Sequence, residues 1–334
     1  MKRLMFVFTV LLLSMVALAG CSDTGTEKVE ADTKGDTAAS YPEKPIKLII
    51  PYDAGGGTDL SARTLQPYLE KELGVSVVVE NKPGAGGWLG WSELATSEPD
   101  GYTIAYMNFP NVIAGYLNPS LKRTESLDSF DFIINHVEDA GVIVIRPDDN
   151  RFADINGLVD YAKDNELTVN SSGVGSANHF VGVQMMDQLD SKFRFVQTDG
   201  TAEAIPQVMG GHVDVLIAGL AEVMELLKNG DLKPVAVFGP DRVGSLPDVP
   251  TLNEAVGADT NKFLSRGIAG PKGLDPVIMQ KLQDALEKAE SDPEHIEKIN
   301  AMGMEVNPVK GDEYLSSLKK QEEAISKLKS VFGW

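Results

Sequence analysis

The sequence predicts an α/β protein with two lobes and a ligand cleft between them, and three observations support this fold class. Short apolar strands alternate with helices of about ten residues along most of the chain, a pattern typical of mostly parallel sheets covered by helices on both faces. The ~290 residues after the N-terminal region exceed the usual size of one hydrophobic core. Two glycine-rich loops, at residues 54–59 and 171–179, each join a strand to a helix in a different half of the chain.

The N-terminus has the features of a bacterial lipoprotein signal. Lys2 and Arg3 precede an uncharged, mostly apolar run that ends in Leu-Ala-Gly-Cys at residues 18–21, an ending that resembles a lipobox. The run is shorter than the ~20 apolar residues of a membrane-spanning helix. We therefore expect residues 1–20 to be a signal peptide and Cys21, the single cysteine of the sequence, to carry a lipid. An ordinary secretory signal with an incidental cysteine is the alternative.

Composition and charge restrict what the rest of the chain can bind. Residues 21–41 are polar with few apolar side chains, so they predict a flexible tether between the membrane and the folded body. The formal charge of −19 would repel nucleic acid and argues against a nucleic-acid partner. It would also repel an anionic ligand at long range, so anion binding would require strong local hydrogen-bond donors.

The strands and helices can be placed by their periodicity. A β-branched strand at residues 46–50 precedes a helix whose leucines share one face and which ends at Gly74. A short helix follows that ends at residue 95. Further strands are predicted at 75–80, 103–107, 130–137, 142–146, 167–170, 193–197, 213–217 and 233–238, with helices at 155–163, 178–189, 201–209, 221–228, 275–290 and 311–331 and irregular structure over most of 240–275.

The two glycine loops predict an anion cradle. The loop at residues 54–59 leads into a helix N-terminus, with Thr58 or Asp59 as a candidate N-cap. About four backbone N–H groups lack partners at such an end, and the macrodipole places about half a positive charge there. The loop at residues 171–179 has the same arrangement with serine hydroxyls added, and ligands of open α/β sheets bind at the strand ends where both loops lie. For each loop alone, a tight turn with glycine at positive φ is the alternative.

The sequence lacks the G-x-G-x-x-G, Walker A and G-x-S-x-G signatures. His136, His179, His212 and His295 have no metal-ligand spacing, and a lipidated Cys21 leaves no thiol for chemistry. We therefore expect no catalytic residue, no metal site and no cofactor. Only His179 lies near a glycine loop, where a ligand contact and a capping or packing role are equally compatible with the sequence.

A series of motifs extends from Tyr41 through the rest of the chain. It comprises YPxKPI at 41–46, AGGGTD at 54–59 with Ala62-Arg63 after it, VVVENKPGAGG at 77–87, PDGYT at 99–103, SGxGSxxH at 172–179, GGxVD at 210–214, Arg242, LPDVPT at 246–251 and Glu254. Together these motifs resemble the substrate-binding proteins of tripartite tricarboxylate transporters, also called the Bug family.

The resemblance implies a fold of the periplasmic-binding-protein type II kind, a "Venus flytrap" with both termini in the first lobe. We assign residues 42–145 and 239–334 to lobe 1 and residues 146–238 to lobe 2. The resemblance further implies a monomer, outside the cytoplasm and anchored at Cys21, that closes on a small carboxylate and presents it to two integral membrane permease subunits. The ligand contacts that we expect are Tyr52, Ala54, Gly55, Gly56, Asp59, Ser172, Gly173, Gly175, Ser176, His179, Thr198 and Asp199.

The sequence departs from the family pattern at two places near the expected cleft. Thr198-Asp199-Gly200 stands where the family commonly has Tyr-Lys-Gly, and residues 264–266 are Leu-Ser-Arg where it commonly has a tryptophan. Asp199 replaces a cation by an anion, which favours a ligand with an amine, a hydroxyl or fewer carboxylates over a citrate-like one. The alternative is that Asp199 only caps the helix that starts near Thr201.

Two other functions are compatible with the sequence. A sensor could use the same pocket as the ligand-binding subunit of a membrane signalling kinase. An enzyme that holds a cofactor phosphate on the glycine loops would need a base or nucleophile close to them, for which His179 and Asp199 are the candidates.

Overall fold

The computed structural model describes residues 38, 40–171, 173–198, 200–239, 241–258, 264–327, 329–330, 332 and 334. The predicted signal peptide, Cys21 and most of the predicted tether lie outside these residues, and so do Ser172 and Asp199. Among the described residues no helix is long and apolar enough to cross a membrane.

The described chain contains eleven strands and eleven α-helices. The strands are β1 Ile46–Ile50, β2 Val77–Asn81, β3 Thr103–Phe109, β4 Phe130–Asp139, β5 Gly141–Ile145, β6 Leu167–Asn170, β7 Phe193–Phe195, β8 Val215–Gly219, β9 Lys233–Phe238, β10 Ser265–Pro271 and β11 Met304–Lys310. The helices are α1 Gly57–Leu73, α2 Trp88–Ala95, α3 Asn111–Leu117, α4 Ile155–Asp164, α5 Ala177–Leu189, α6 Thr201–Met209, α7 Leu220–Asn229, α8 Leu252–Val256, α9 Pro276–Glu290, α10 Pro293–Ala301 and α11 Gly311–Lys327.

The strands form two sheets, one in each lobe, and helices pack against both sheets. The first sheet has the order β11-β4-β10-β3-β1-β2 and the second the order β7-β6-β8-β5-β9. Each sheet has its own buried apolar cluster, represented by Leu48 and Leu65 in the first lobe and by Val169 and Ile217 in the second. The prediction of two α/β lobes is therefore confirmed.

The prediction of mostly parallel sheets is wrong, because four of the nine strand pairings are parallel and five are antiparallel. All but one of the antiparallel pairings involve β5 or β10, the strands that the chain enters directly after crossing between lobes. The carboxyl ends of the parallel strands face the other lobe. A strand that arrives from that lobe starts at this edge, so it must run in the opposite direction.

Both lobe boundaries differ from those expected. β5 belongs to the second sheet, so the chain crosses at Ala140 rather than after residue 145. Helix α8, which was not predicted, buries Leu252 in the core of the second lobe, so the return crossing comes after residue 258 and not at residue 239. The first lobe also begins before residue 42, because Tyr41 is buried and its hydroxyl donates to the carbonyl of Gly101.

Strand β10 was not predicted because its sequence, SRGIAGP, lacks a strand pattern, although all seven of its residues are buried. Its glycines are required by packing: a Cβ on Gly267 would lie 2.0 Å from the Tyr314 hydroxyl. Helices α3 and α10 and strand β11 were also not predicted. In contrast, helix α1 ends as expected, with Gly74 in the left-handed conformation at φ 73°.

The side chain of Glu290 is buried at the end of α9 in the first lobe. It is fully buried, and neither carboxylate oxygen makes a hydrogen bond among the described residues. Burial, together with the charge of Glu287, raises the pKa of Glu290 well above its ordinary value. The folded protein therefore holds this carboxyl protonated at a pH where the unfolded chain ionises it.

We predict that Glu290→Leu stabilises the protein at pH 8, because a polar group without a partner is removed from the interior. The free energy of unfolding should rise by about 1–3 kcal/mol. A raised folded-state pKa means that stability is lost as the pH rises above the unfolded value near 4.3. The gain should therefore shrink towards pH 4, as measured by urea unfolding at both pH values.

The exposed Glu297 on α10 provides the control. Glu297→Leu should change stability by no more than about 0.5 kcal/mol. A loss of stability in Glu290→Leu at pH 8 would contradict the prediction.

Candidate functional site

A cleft lies between the two lobes, and four helices begin at its walls. In the first lobe α1 follows its N-cap Gly56, and in the second lobe α5, α6 and α7 follow Ser176, Gly200 and Gly219. All four N-caps line the inner part of the cleft.

The helix N-termini make the cleft favourable for an anionic group although the whole protein has a formal charge of −19. Gly56 and Gly200 provide no side-chain cap, so the first N–H groups of α1 and α6 have no side-chain partner from these positions. Each helix N-terminus carries about half a positive charge, which acts within about one turn of the helix end. Such ends bind carboxylates and phosphates through the backbone alone.

An ion pair lies at the base of the cleft, where the chain crosses between the lobes. Arg266, near the start of β10, donates from Nη2 to Oδ2 of Asp139 at the end of β4 over 2.7 Å, and both side chains are buried. Arg266 lines the cleft together with Glu222 of α7. A Cβ on Gly57 would lie 2.8 Å from Nη2 of Arg266 and 3.3 Å from Cγ of Glu222, so the three residues meet where the lobes touch.

Burial and the neighbouring charges shift the pKa values of Arg266 and Asp139 in this cluster. Burial alone would lower the pKa of Arg266, but the carboxylates of Asp139 and Glu222 more than offset this and raise the pKa. Burial raises the pKa of Asp139, and the guanidinium of Arg266 offsets part of that rise. Burial also raises the pKa of Tyr52, so its hydroxyl stays protonated. It accepts from Nδ2 of Asn111 over 2.8 Å.

The structure places five of the expected contacts at the cleft. Tyr52, Gly56 and Ser176 line its inner part, and Gly173 and Thr198 line its mouth together with Tyr52 and Ser176. The two glycine loops thus lie on opposite walls of one cleft, as the sequence predicted.

Other expected contacts lie away from the lining and hold the loops in shape. Ala54 and Gly55 are exposed. The backbone N–H of Gly55 donates to Asp59, whose carboxylate also accepts from Arg63 and Asn81. The carboxylate of Asp59 is therefore already used by the protein, and its place in the expected contact set is not supported by this geometry.

His179 and Gly175 have a structural role as well. Nδ1 of His179 accepts from the N–H of Gly175 over 3.1 Å, and the ring packs against Phe195 with 4.6 Å between centroids. Burial lowers the pKa of His179 to about 4, so the ring is neutral at pH 7 and can accept this bond. Of the two roles that the sequence left open for His179, the structure shows capping and packing. Ser172 and Asp199 lie outside the described residues.

Sequence reasoning missed several residues of the cleft. Asn108 lies near the end of β3 and Asn111 follows that strand, while Gly219 is the last residue of β8 and Glu222 follows it. The signal was available, since the carboxyl end of every parallel strand faces the ligand side of an open α/β sheet. Arg266 could not be found in this way, because β10 was not predicted.

Aromatic side chains join the lobes beside the cleft. Phe332, beyond the end of α11, packs against Phe180 of α5 with 4.3 Å between ring centroids and stacks on Trp334 at 4.9 Å. The C-terminal residues of the first lobe thus contact the helix that carries the second glycine loop. Among the described residues no group of three or more His, Cys, Asp or Glu side chains could hold a metal ion.

Comparisons with known proteins agree with this architecture. Residues 61–329 match the family described as "Tripartite tricarboxylate transporter family receptor". A protein of Cupriavidus necator, described as the UPF0065 protein in the gbd 5' region, is 32% identical over 299 residues, which is 87% of this chain and 89% of that protein.

Solved structures share the fold. The periplasmic binding protein BugD is 31% identical with a TM-score of 0.81, covering 88% of this chain and 99% of its own. MatC of Rhodopseudomonas palustris, solved with bound malate, is 25% identical with a TM-score of 0.77, covering 87% and 100%. These similarities confirm the two-lobed fold that the sequence predicted.

We predict that Arg266→Met destabilises the protein by about 3–5 kcal/mol, because it leaves Asp139 buried without its guanidinium partner. The double variant Arg266→Met/Asp139→Leu should recover much of the loss, since it removes both charges. Urea unfolding without ligand measures both effects.

The exposed pair of Arg194 and Glu166 is the matched control. Arg194→Met should cost no more than about 1 kcal/mol. If the double variant were as unstable as the sum of its two single variants, the ion pair would not be the cause.

Proposed function

Because this chain belongs to the tripartite tricarboxylate transporter receptor family, we propose that it binds a small carboxylate in the cleft and delivers it to a membrane permease. The observation that carries this proposal is the convergence of helix N-termini from both lobes on one cleft. Backbone donors on both walls can hold a carboxylate only when the lobes are close together. Ligand binding then favours the closed state, which is the form that a permease would recognise.

The malate bound by MatC supports a carboxylate ligand. In this chain we propose that carboxylate oxygens accept from the backbone at Gly56 and its neighbours in α1, and from the start of α5 at Ser176. Tyr52 adds a protonated hydroxyl from the first lobe, and Gly173 and Thr198 lie at the mouth. Ser172 and Asp199 remain proposed contacts from the sequence.

Anchoring at Cys21 is part of the same proposal. The family consists of transport receptors, and a lipid on Cys21 would keep this receptor outside the cytoplasm beside its permease. Tethering raises the effective concentration of the receptor at the permease without any additional contact.

We predict that a small carboxylate stabilises the protein. At about 100 times its dissociation constant a ligand should add about 2.7 kcal/mol, which thermal unfolding of the ligand-stripped protein can detect across a panel of mono-, di- and tricarboxylates. Ala202→Trp, at the exposed start of α6, would fill the cleft and should abolish the shift.

Ala301→Trp, at an exposed position on α10, is the matched control and should keep the shift. If no carboxylate of the panel stabilised the wild-type protein, the proposed function would be wrong.

We predict that Cys21→Ser releases the receptor from the membrane. In a bacterial host labelled with a radioactive fatty acid, the wild-type protein should carry label and fractionate with membranes, whereas the variant should do neither. A variant that stays in the membrane fraction after a salt wash would refute anchoring at Cys21.

A further inference from the structure

The lining of the cleft contains more acidic side chains than basic ones. Among the described residues of the inner cleft, Arg266 supplies the cationic side chain, which is paired with Asp139 and also interacts with the charge of Glu222. Asp53, Glu203 and Glu222 are acidic. A ligand that carries only carboxylates would therefore approach three carboxylates without an unpaired cationic side chain to meet it.

Glu222 is held in a fixed position on the floor of the cleft. Its Oε2 accepts from Oγ1 of Thr201 over 2.7 Å and from the backbone N–H of Gly219 over 3.1 Å. Its Cγ lies close to Gly57 of the opposite lobe. A cleft-lining carboxylate that the protein holds through one oxygen can accept a charge-assisted hydrogen bond from a ligand at its other oxygen.

Two amide side chains add further acceptors. Asn108 and Asn178 both line the inner cleft and are at least nine-tenths buried. Nδ2 of Asn108 donates to Oγ1 of Thr58 over 2.7 Å. The amide oxygens of Asn108 and Asn178 make no hydrogen bond within the described part of the protein. Buried acceptors of this kind are normally satisfied, so they call for a ligand that brings donors.

The four helix N-termini are not equivalent. α7 has Glu222 in its first turn and α6 has Glu203, so an acid of the same helix offsets each of these positive ends. The first turn of α5 has no acidic residue, and Asp59 in α1 is bound to Arg63. A ligand carboxylate is therefore best accommodated at α1 and α5, and a donor group at the side of the cleft formed by α7.

We propose that Glu222 is a specificity-determining residue and that the ligand is an amino carboxylate whose ammonium group binds Glu222 while its carboxylate binds α1 and α5. This inference rests on the proposed function, since it assigns the second half of the same ligand site. An ammonium carries three donors, one of which can bind the carboxylate of Glu222.

The test compares acids that differ only by one amine. Ligand-stripped protein is titrated calorimetrically with propionate and alanine, succinate and aspartate, and glutarate and glutamate, using both enantiomers of each amino acid. In at least one pair the wild-type protein should bind the amino acid tenfold or more tightly than its partner. Glu222→Gln keeps the size and the acceptor for Gly219 but removes the charge, so it should reduce this ratio at least tenfold.

Glu225→Gln, on an exposed turn of α7, is the matched control and should leave the ratio unchanged. If the plain acids bound as tightly as their amino partners, or if Glu222→Gln kept the ratio, the amine assignment would be overturned while the carboxylate receptor stood. If no acid of either kind bound, the proposed function itself would fail and this assignment with it.

Discussion

The constraint on which the structure depends is the direction of its strands. In both lobes the parallel strands have their carboxyl ends at the cleft, so the helices that follow β1, β6, β7 and β8, namely α1, α5, α6 and α7, begin there. The two strands that enter from the opposite lobe, β5 and β10, start at this edge and run the other way. One topological rule thus produces both the mixed sheets and the binding cleft.

This arrangement explains how a strongly acidic protein can hold an anion. The formal charge of −19 acts at long range and is screened by salt, whereas helix N-termini act within a few ångströms and donate hydrogen bonds as well. The guanidinium of Arg266 contributes little net charge because Asp139 neutralises it. That ion pair instead joins the strands β4 and β10 where the chain crosses between lobes. We propose that selectivity then depends on Glu222, whose carboxylate is held by Thr201 and Gly219 and favours a ligand that carries a donor.

Much of the fold could be predicted because local signals agreed with it. β1 and β6 match their predicted bounds, and α1 ends at Gly74, since β-branched runs and a left-handed glycine are local features. The prediction failed where packing overrides local pattern. β10 is a strand although it contains two glycines. Gly267 is needed there because the Tyr314 side chain occupies the position where a Cβ would lie. α8 is short, and the burial of its Leu252 in the core of the second lobe is not evident from the Pro- and Gly-rich sequence before it.

By itself the sequence determined the two lobes, the glycine loops on opposite walls and the family, because alternating periodicity and glycine spacing are encoded in consecutive residues. Only the tertiary structure decided which residues of those loops reach the cleft. Asp59 and His179 are used to hold the loops, while Asn108, Glu222 and Arg266 come from distant segments and meet at the cleft. The physical reason is that a hydrogen bond or a buried charge depends on atoms that folding brings together, and consecutive residues do not record that distance.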